Sequence, residues 1–267
     1  MNPKLLMDYK EYAKHDWVYP YSYELNSGDQ YLFYFGANHS HDPNNKQYPK
    51  LLKFWKKFIT KTKEKKVLIL VESIPQQPDI SPKQGVLNAT EQGFITYHAA
   101  QEKIKLLCPE PSFRRQVNYL LKQFTKEQIA YHYFARMVDQ WHRYQNKPGF
   151  ERYIETSLQL DKKRFGWKNF NFSLENLKKI HQKLYKTKFN HKDKAFFRDI
   201  SNPIENTIAN KVSDALGKIR DLHILNEIEK HWRKGYNLFI VYGGGHAIVQ
   251  RKVVEEITGT KHSRISH

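Results

Sequence analysis

The sequence predicts an α/β fold: a central, mostly parallel mixed sheet flanked by helices, with a large helical insertion before the last core strand. Three observations predict it. Short apolar runs recur and stop at a glycine or an acid, in "YLFYFG", "KVLILVES" and "NLFIVYGGGH". Helical periods alternate with the early runs, the mark of a parallel sheet with helices on its faces. The stretch 113–232 is almost entirely helical in period and precedes the last apolar run. It therefore reads as an insertion within one domain spanning 1–267.

Each element follows from its residues. "VYPYSYEL", then "NSGDQ", then "YLFYF" is two strands joined by a short Asn-Ser-Gly turn. Leu51, Leu52, Trp55, Phe58 and Ile59 repeat at helical spacing. "KVLILVES" is a continuous apolar run, the pattern of a strand buried on both faces. Asn88 and Glu91 have capping-box spacing and predict a helix start near Asn88. "KIKLLCPEP" reads as a third strand, with Cys108 at its buried end. Thr125 and Gln128 form a second capping-box pair, ahead of a face of Ile129, Tyr133, Met137 and Trp141. "NKPGF" at 146–150 is the best hinge of the helical stretch. Asn202, Pro203 and Glu205 open a long helix through Ile208, Val212, Leu216 and Ile219. The strand "NLFIVY" and a last helix from about Ala247 to Ile257 complete the chain.

The chain has 267 residues, 39 % of them hydrophobic and 14 % aromatic, enough for a buried core under a heavily charged surface. The net charge of +18 favours anionic partners through long-range attraction. The lysines are spread over several segments, and no zinc-finger spacing, RNP-like motif or recognition helix accompanies them, so nucleic acid is not the favoured partner. A single cysteine rules out an intrachain disulfide. The amino-terminal residues lack an apolar signal-peptide core, and no run approaches the roughly 18 apolar residues of a membrane helix. The expectation is a cytoplasmic protein that does not engage a membrane.

The candidate site lies at the strand ends, where open α/β sheets bind ligands. Gly36 and Gly243 each precede a histidine by three residues, His39 and His246. Glycines there allow a sharp turn and leave room for a substrate. Gly243, Gly244 and Gly245 are placed to present amide groups to an oxyanion or phosphate. The spacing is not that of a nucleotide-binding fingerprint. Nor does H-S-H-D at 39–42 have the spacing of a dinuclear metallohydrolase motif. Glu72 ends an apolar strand, so its carboxylate needs a partner and is a candidate base or ligand. His39, His246 and Glu72 supply three N and O donors, the count of a catalytic zinc or manganese centre. The same trio also suits metal-free chemistry with His39 as base and Glu72 orienting it. Glu91 is either a second acid of the site or only the end of a capping box. Arg220 shares a helix face with Leu216 and Ile224, so it should meet a carboxylate or an anionic ligand.

Taken in order, these pieces resemble the TraB/GumN, Tiki and erythromycin-esterase superfamily, to which the haem-binding ChaN proteins are also similar. Gly36 to His39 and Gly243 to His246 match its paired Gly-x-x-His motifs. "LVES" at 70–73 matches its strand ending in Glu, and "IRD" at 219–221 its Arg-Asp element. "EQG" at 91–93 stands where the family often has Gly-Glu, with the order changed. The resemblance covers about 20–110 and 204–258. It implies hydrolysis, metal-dependent on peptides in Tiki proteins and histidine-based on esters in the esterases. The implied cofactor is a divalent metal (zinc, manganese or cobalt), with haem the alternative. The implied partner is a small-molecule or peptide substrate, of an anionic kind if Arg220 anchors it. The rival class is a non-catalytic haem- or nucleic-acid-binding module. Three expectations follow: His39, Glu72 and His246 converge on one cavity; Arg220 points into it or pairs with Glu72 or Glu91; and no lysine or arginine crowds the strand ends.

Overall fold

The Asn-Ser-Gly segment turns the chain as its composition demands. Strands β1 (Tyr21–Ser27) and β2 (Gln30–Ala37) pair antiparallel, Ser27 opposite Gln30. Gly28 takes the left-handed φ of 56° that this two-residue turn requires. A four-residue helix, α1 (Tyr9–Tyr12), precedes them. The computed structural model describes residues 1–73, 77–144, 146–202 and 206–260, and the backbone of 264–266.

After β2 come α2 (Gln47–Lys61), β3 (Val67–Val71), α3 (Pro82–Gln101) and the two-residue β4 (Leu106–Leu107). The helical stretch holds α4 (Phe113–Leu120), α5 (Lys126–Arg143), α6 (Phe150–Phe165), α7 (Leu174–Tyr185), α8 (Lys194–Ser201) and α9 (Ile208–Arg233). Then come β5 (Asn237–Gly243), α10 (Gly244–Thr258) and the short β6 (Arg264–Ser266). The sheet order is β4-β3-β5-β2-β1-β6. β4, β3, β5 and β2 run parallel, while β1 and β6 are antiparallel to their neighbours. The chain is thus an α/β protein with a mostly parallel mixed sheet.

Two compact units are present: Met1–Glu110 with Asp221–His267, which holds the whole sheet, and Pro111–Arg220, which is helical. Alternation along the strands builds the sheet unit's two cores. Leu32, Tyr34, Leu68, Leu70, Leu238 and Ile240 pack with Ile224, Leu225 and Ile228 of α9 and with Val253 and Val254 of α10. Phe33, Phe35, Ile69, Val71, Phe239 and Val241 point the other way, against Leu51, Phe54, Trp55 and Phe58 of α2 and Phe94, Ile95 and Ala99 of α3. Every residue of β5 is buried, as a central parallel strand covered on both faces should be. Phe239 alone meets the rings of Phe54, Trp55 and Phe58, and truncating such a side chain costs about 3–5 kcal/mol.

This layering fixes where a ligand can sit. β2 and β3 feed helices on the α2/α3 face, whereas β5, between them, feeds α10 on the opposite face. The connections therefore diverge at the carboxyl end of β5, a topological switch point.

Some boundaries differ from the sequence expectation. The helix expected from Asn88 begins at Pro82, capped by the Ser81 side chain. It kinks at Ala89 and Thr90, where Thr90 has φ 52° and ψ −139°. The Asn88 side chain donates to Asp79 and accepts from Gln84, so it caps nothing at Glu91. The third strand shrinks to β4, and Cys108 is half-buried beyond it, its Sγ 3.5 Å from the Glu72 carbonyl oxygen. The last helix starts at Gly244, three residues early. The Thr125–Gln128 capping box forms in full. The deepest stripe of α5 is not Tyr133 and Met137 but Tyr131, Phe134, Ala135 and Val138, which pack with Ile154, Leu158, Leu177 and Phe197 of α6, α7 and α8. Of the expected helix start at Asn202, Pro203 and Glu205, the last two lie outside the described residues.

Candidate active site

His39 follows β2, Glu72 follows β3 and Gly243 closes β5, so three adjacent strands deliver them to one place. A cavity of about 340 Å³ there is lined by Tyr19, Ala37, Asn38, His39, Glu72, the glycines 243–245 and His246. No lysine or arginine is among these residues.

Glu72 is the centre of the arrangement. Its Oε2 accepts a hydrogen bond from the Gly243 amide at 2.9 Å, at the amino end of α10, where the helix dipole favours an anion. The same oxygen lies 3.8 Å from His39 Nε2, and Oε1 lies 3.8 Å from His246 Nε2. These gaps exceed a hydrogen bond, and each is short enough for one bridging atom to touch both sides.

Each histidine is held from behind by a fully buried carboxylate. His39 Nδ1 is 2.7 Å from Glu91 Oε1, and His246 Nδ1 is 2.6 Å from Asp221 Oδ1. Such a bond fixes the ring and directs its Nε2 to the site. Asp221 is well satisfied, since Gln250 Nε2 donates to Oδ1 at 2.7 Å and the Tyr9 hydroxyl to Oδ2 at 2.8 Å. Tyr34 in turn donates to Gln250 Oε1 at 2.9 Å, and Tyr242 meets the His246 ring edge-on. Glu91 is less so: Gln92 Nε2 is 3.3 Å from Oε1, and Oε2 has no partner among the described residues. The hydrogen bond to Glu91 raises the His39 pKa to about 8, against an opposing effect of burial and with help from the charges of Glu91 and Glu72.

The kink of α3 explains how Glu91 gets there. Thr90, a β-branched residue at positive φ, interrupts the helix immediately before it, a conformation that costs about 1–3 kcal/mol. The two arms meet where Gly85 and Gly93 touch backbone to backbone; a Cβ on Gly93 would stand 2.0 Å from Gly85 O. Glu91 is therefore the partner of His39 and not the end of a capping box.

The glycines act by absence of a side chain. Gly36 lies within β2 and does not break it; a Cβ there would come 2.7 Å from Ala247 Cβ and 2.9 Å from Gly244 Cα. Its role is to let α10 approach the sheet. A Cβ on Gly243 would stand 2.8 Å from His39 Nε2, and one on Gly244 would stand 2.0 Å from the Tyr19 ring. Tyr19 is tied by its hydroxyl to that of Tyr12, and burial pushes its pKa well up, so it remains a neutral phenol facing the cavity.

Arg220 is the last residue of the helical unit, half-buried, with its charge acting on Tyr133 and Arg136 there. Its neighbour Asp221 enters the sequence reading only as the acid of the Arg-Asp element, without a site role, and Tyr9, Tyr19 and Gln250 are absent from the residues that the sequence singles out. A signal for Asp221 existed: it leads the stripe Ile224, Leu225, Ile228 and Trp232, an acid in register with an apolar face.

The donor set of two imidazole Nε2 atoms and one carboxylate, each imidazole backed by a carboxylate, has the chemistry of a divalent-metal centre. The spacing is wider than a bound ion would leave it, since N and O ligands about 2 Å from zinc stand roughly 3.4 Å apart. Among the described residues no group of three or more such side chains is arranged to hold a metal ion. No helix among them is long and apolar enough to cross a membrane. In comparisons with known proteins, no family model, no curated protein and no solved structure matches this chain.

Proposed function

We propose that the protein is a hydrolase of the TraB/Tiki/erythromycin-esterase type, cleaving an ester or peptide bond of a small-molecule or peptide substrate. One observation carries this reading: Glu72 stands between two imidazole Nε2 atoms, each ring anchored by a buried carboxylate. Acid and base are then within one bridging atom of each other, which proton transfer requires. A His39 pKa of about 8 leaves its ring protonated at neutral pH. Glu72 is therefore the group ready to take a proton from an attacking water, and His39 the one ready to give a proton to the leaving group. The first-turn amides of α10 at Gly244 and Gly245 have no intrahelical acceptor and border the cavity; they serve the developing oxyanion.

If the enzyme takes a divalent ion (zinc, manganese or cobalt), His39 and His246 through Nε2 and Glu72 through its carboxylate hold it. Such an ion polarises a carbonyl and acidifies water. Haem is the weaker reading, because the lining is mainly polar and backbone, not apolar.

The test is turnover of a panel of p-nitrophenyl esters and short peptides, with elemental analysis of the same preparation. Glu72→Gln and His39→Ala should each lower activity by about 10²–10⁴-fold while the fold, by circular dichroism, is kept. Activity that neither substitution lowers would remove the hydrolase reading, and a Soret band on purification would replace it with haem binding.

A further inference from the structure

The positive charge is not evenly divided. Residues 111–220 contain 23 Lys and Arg against 10 Asp and Glu, a net +13, leaving +5 for the rest of the chain. The helical unit is thus strongly basic, and a second cavity, of about 470 Å³, opens in it. Its lining is Gly149, Phe150, Glu151 and Arg152 at the start of α6, Lys178 of α7, and Phe189 with His191 before α8.

Three features of this cavity point to one kind of ligand. Arg152 is exposed and Lys178 half-buried, and neither takes part in an ion pair or side-chain hydrogen bond among the described residues. Two cations without an ion-pair partner that line one cavity attract an anion. The His191 ring stacks on Phe150 at 4.2 Å and 19°, and Trp141 meets both edge-on. This makes an aromatic wall beside the cations. Burial and the Lys192 charge lower the His191 pKa, so the ring is neutral and suited to stacking. Gly149 offers no side chain to cap α6, so the first-turn amides also face outward. Glu151 is the one acid of the lining, against two cations.

We propose that the helical unit binds single-stranded nucleic acid, with a base stacked on the Phe150–His191 wall and the backbone phosphates on Arg152 and Lys178. A stacking surface next to a cationic track is how proteins hold single strands without reading sequence, since every base has a π-face. An anionic membrane or an acidic peptide satisfies the cations but leaves the recessed ring pair unused. The inference is independent of the hydrolase reading.

The test is fluorescence anisotropy of the full chain with a labelled 15-nucleotide single strand at 50 and 200 mM salt. The expected Kd at low salt is on the order of 10⁻⁶ M. Arg152→Glu with Lys178→Glu should weaken binding about 10-fold or more and lower the log–log salt slope by roughly 1.4, or about 0.7 for each phosphate no longer neutralised. His191→Ala should weaken it about 5-fold or more through reduced stacking. Lys211→Glu with Lys218→Glu changes the charge equally on α9 and should have much the smaller effect. Equal losses from the two double variants would reduce the cavity to a share of diffuse attraction and overturn the proposal. Equal affinity for duplex, for heparin or for anionic vesicles would overturn it too, as would no binding at low salt.

Discussion

The two halves of the candidate site use the same device with different stiffness. On one side His246 is only 11 % exposed, and its carboxylate Asp221 accepts from His246, Gln250 and Tyr9. On the other side His39 is 55 % exposed, and its carboxylate Glu91 leaves one oxygen without a partner among the described residues. The first is a closed network, costly to disturb because several buried groups lose their partner together. The second is an open one, with fewer bonds to hold it and a ring that meets solvent. Around the shared carboxylate Glu72 the site thus pairs one enclosed imidazole with one that meets solvent.

Four measurements break or sharpen this comparison. The largest effect belongs to the group both halves share. Glu72→Gln should lower turnover by about 10³-fold, within the range of general acid–base catalysis, with little change in the urea midpoint. A similar loss in stability would make Glu72 structural.

Next come the two anchoring carboxylates. Asp221→Ala strands three donors in a buried setting and should cost about 3 kcal/mol; Glu91→Ala, which removes one strong partner and leaves a half-exposed histidine to water, should cost about 1–2 kcal/mol. Urea unfolding of the two variants decides it, and equal costs would erase the stiff-versus-open distinction.

Gly243→Ala tests the geometry on the His39 side. Its Cβ would stand 2.8 Å from His39 Nε2 and 3.4 Å from Glu72 Oε2, so it should cost about 1–2 kcal/mol through overpacking. Turnover should fall more than stability, because His39 is the ring displaced. Unchanged KM and kcat would show that the Nε2 position is irrelevant to the chemistry.

The smallest effect is on pH. The His39 pKa is raised in the folded protein, to about 8 from 6.5. The Glu91–His39 pair therefore stabilises fully below about pH 6.5 and loses that contribution as pH rises through about 8. With His39 more than half exposed, solvent screening reduces it to about 1 kcal/mol or less. Wild type should lose this much between pH 6 and pH 9 in metal-free buffer, and Glu91→Gln should flatten the change. An NMR titration of His39 below pH 7 would show that the pair does not raise the ring's pKa.

Much of the sheet was legible because strand burial leaves a local trace. "KVLILVES" and "NLFIVY" are continuous apolar runs, and a central parallel strand has no solvent face to produce any other pattern. The repeated Gly-x-x-His likewise placed His39 and His246 near the carboxyl ends of strands. The α3 kink was not legible. Asn88 and Glu91 have ideal capping-box spacing, yet the helix starts earlier, kinks at Thr90 with Gly85 packed on Gly93, and presents Glu91 to His39. Nor was the meaning of Gly36, which reads as a strand break and is a gap for Ala247.

The sequence by itself determined which residues lie at or just beyond the strand ends and so reach the site: His39, Glu72, Gly243 and His246. Their order along the chain follows from local hydrophobicity and period, which are short-range properties. Tertiary structure alone decided that β5 inserts between β3 and β2, bringing residues more than 170 positions apart within one bridging atom. It also decided which carboxylate backs each histidine. Asp221 and Glu91 are acids on helices, and a helical acid is usually solvated. Only the packing of α3, α9 and α10 against the sheet removes the water and leaves an imidazole as the partner each must take.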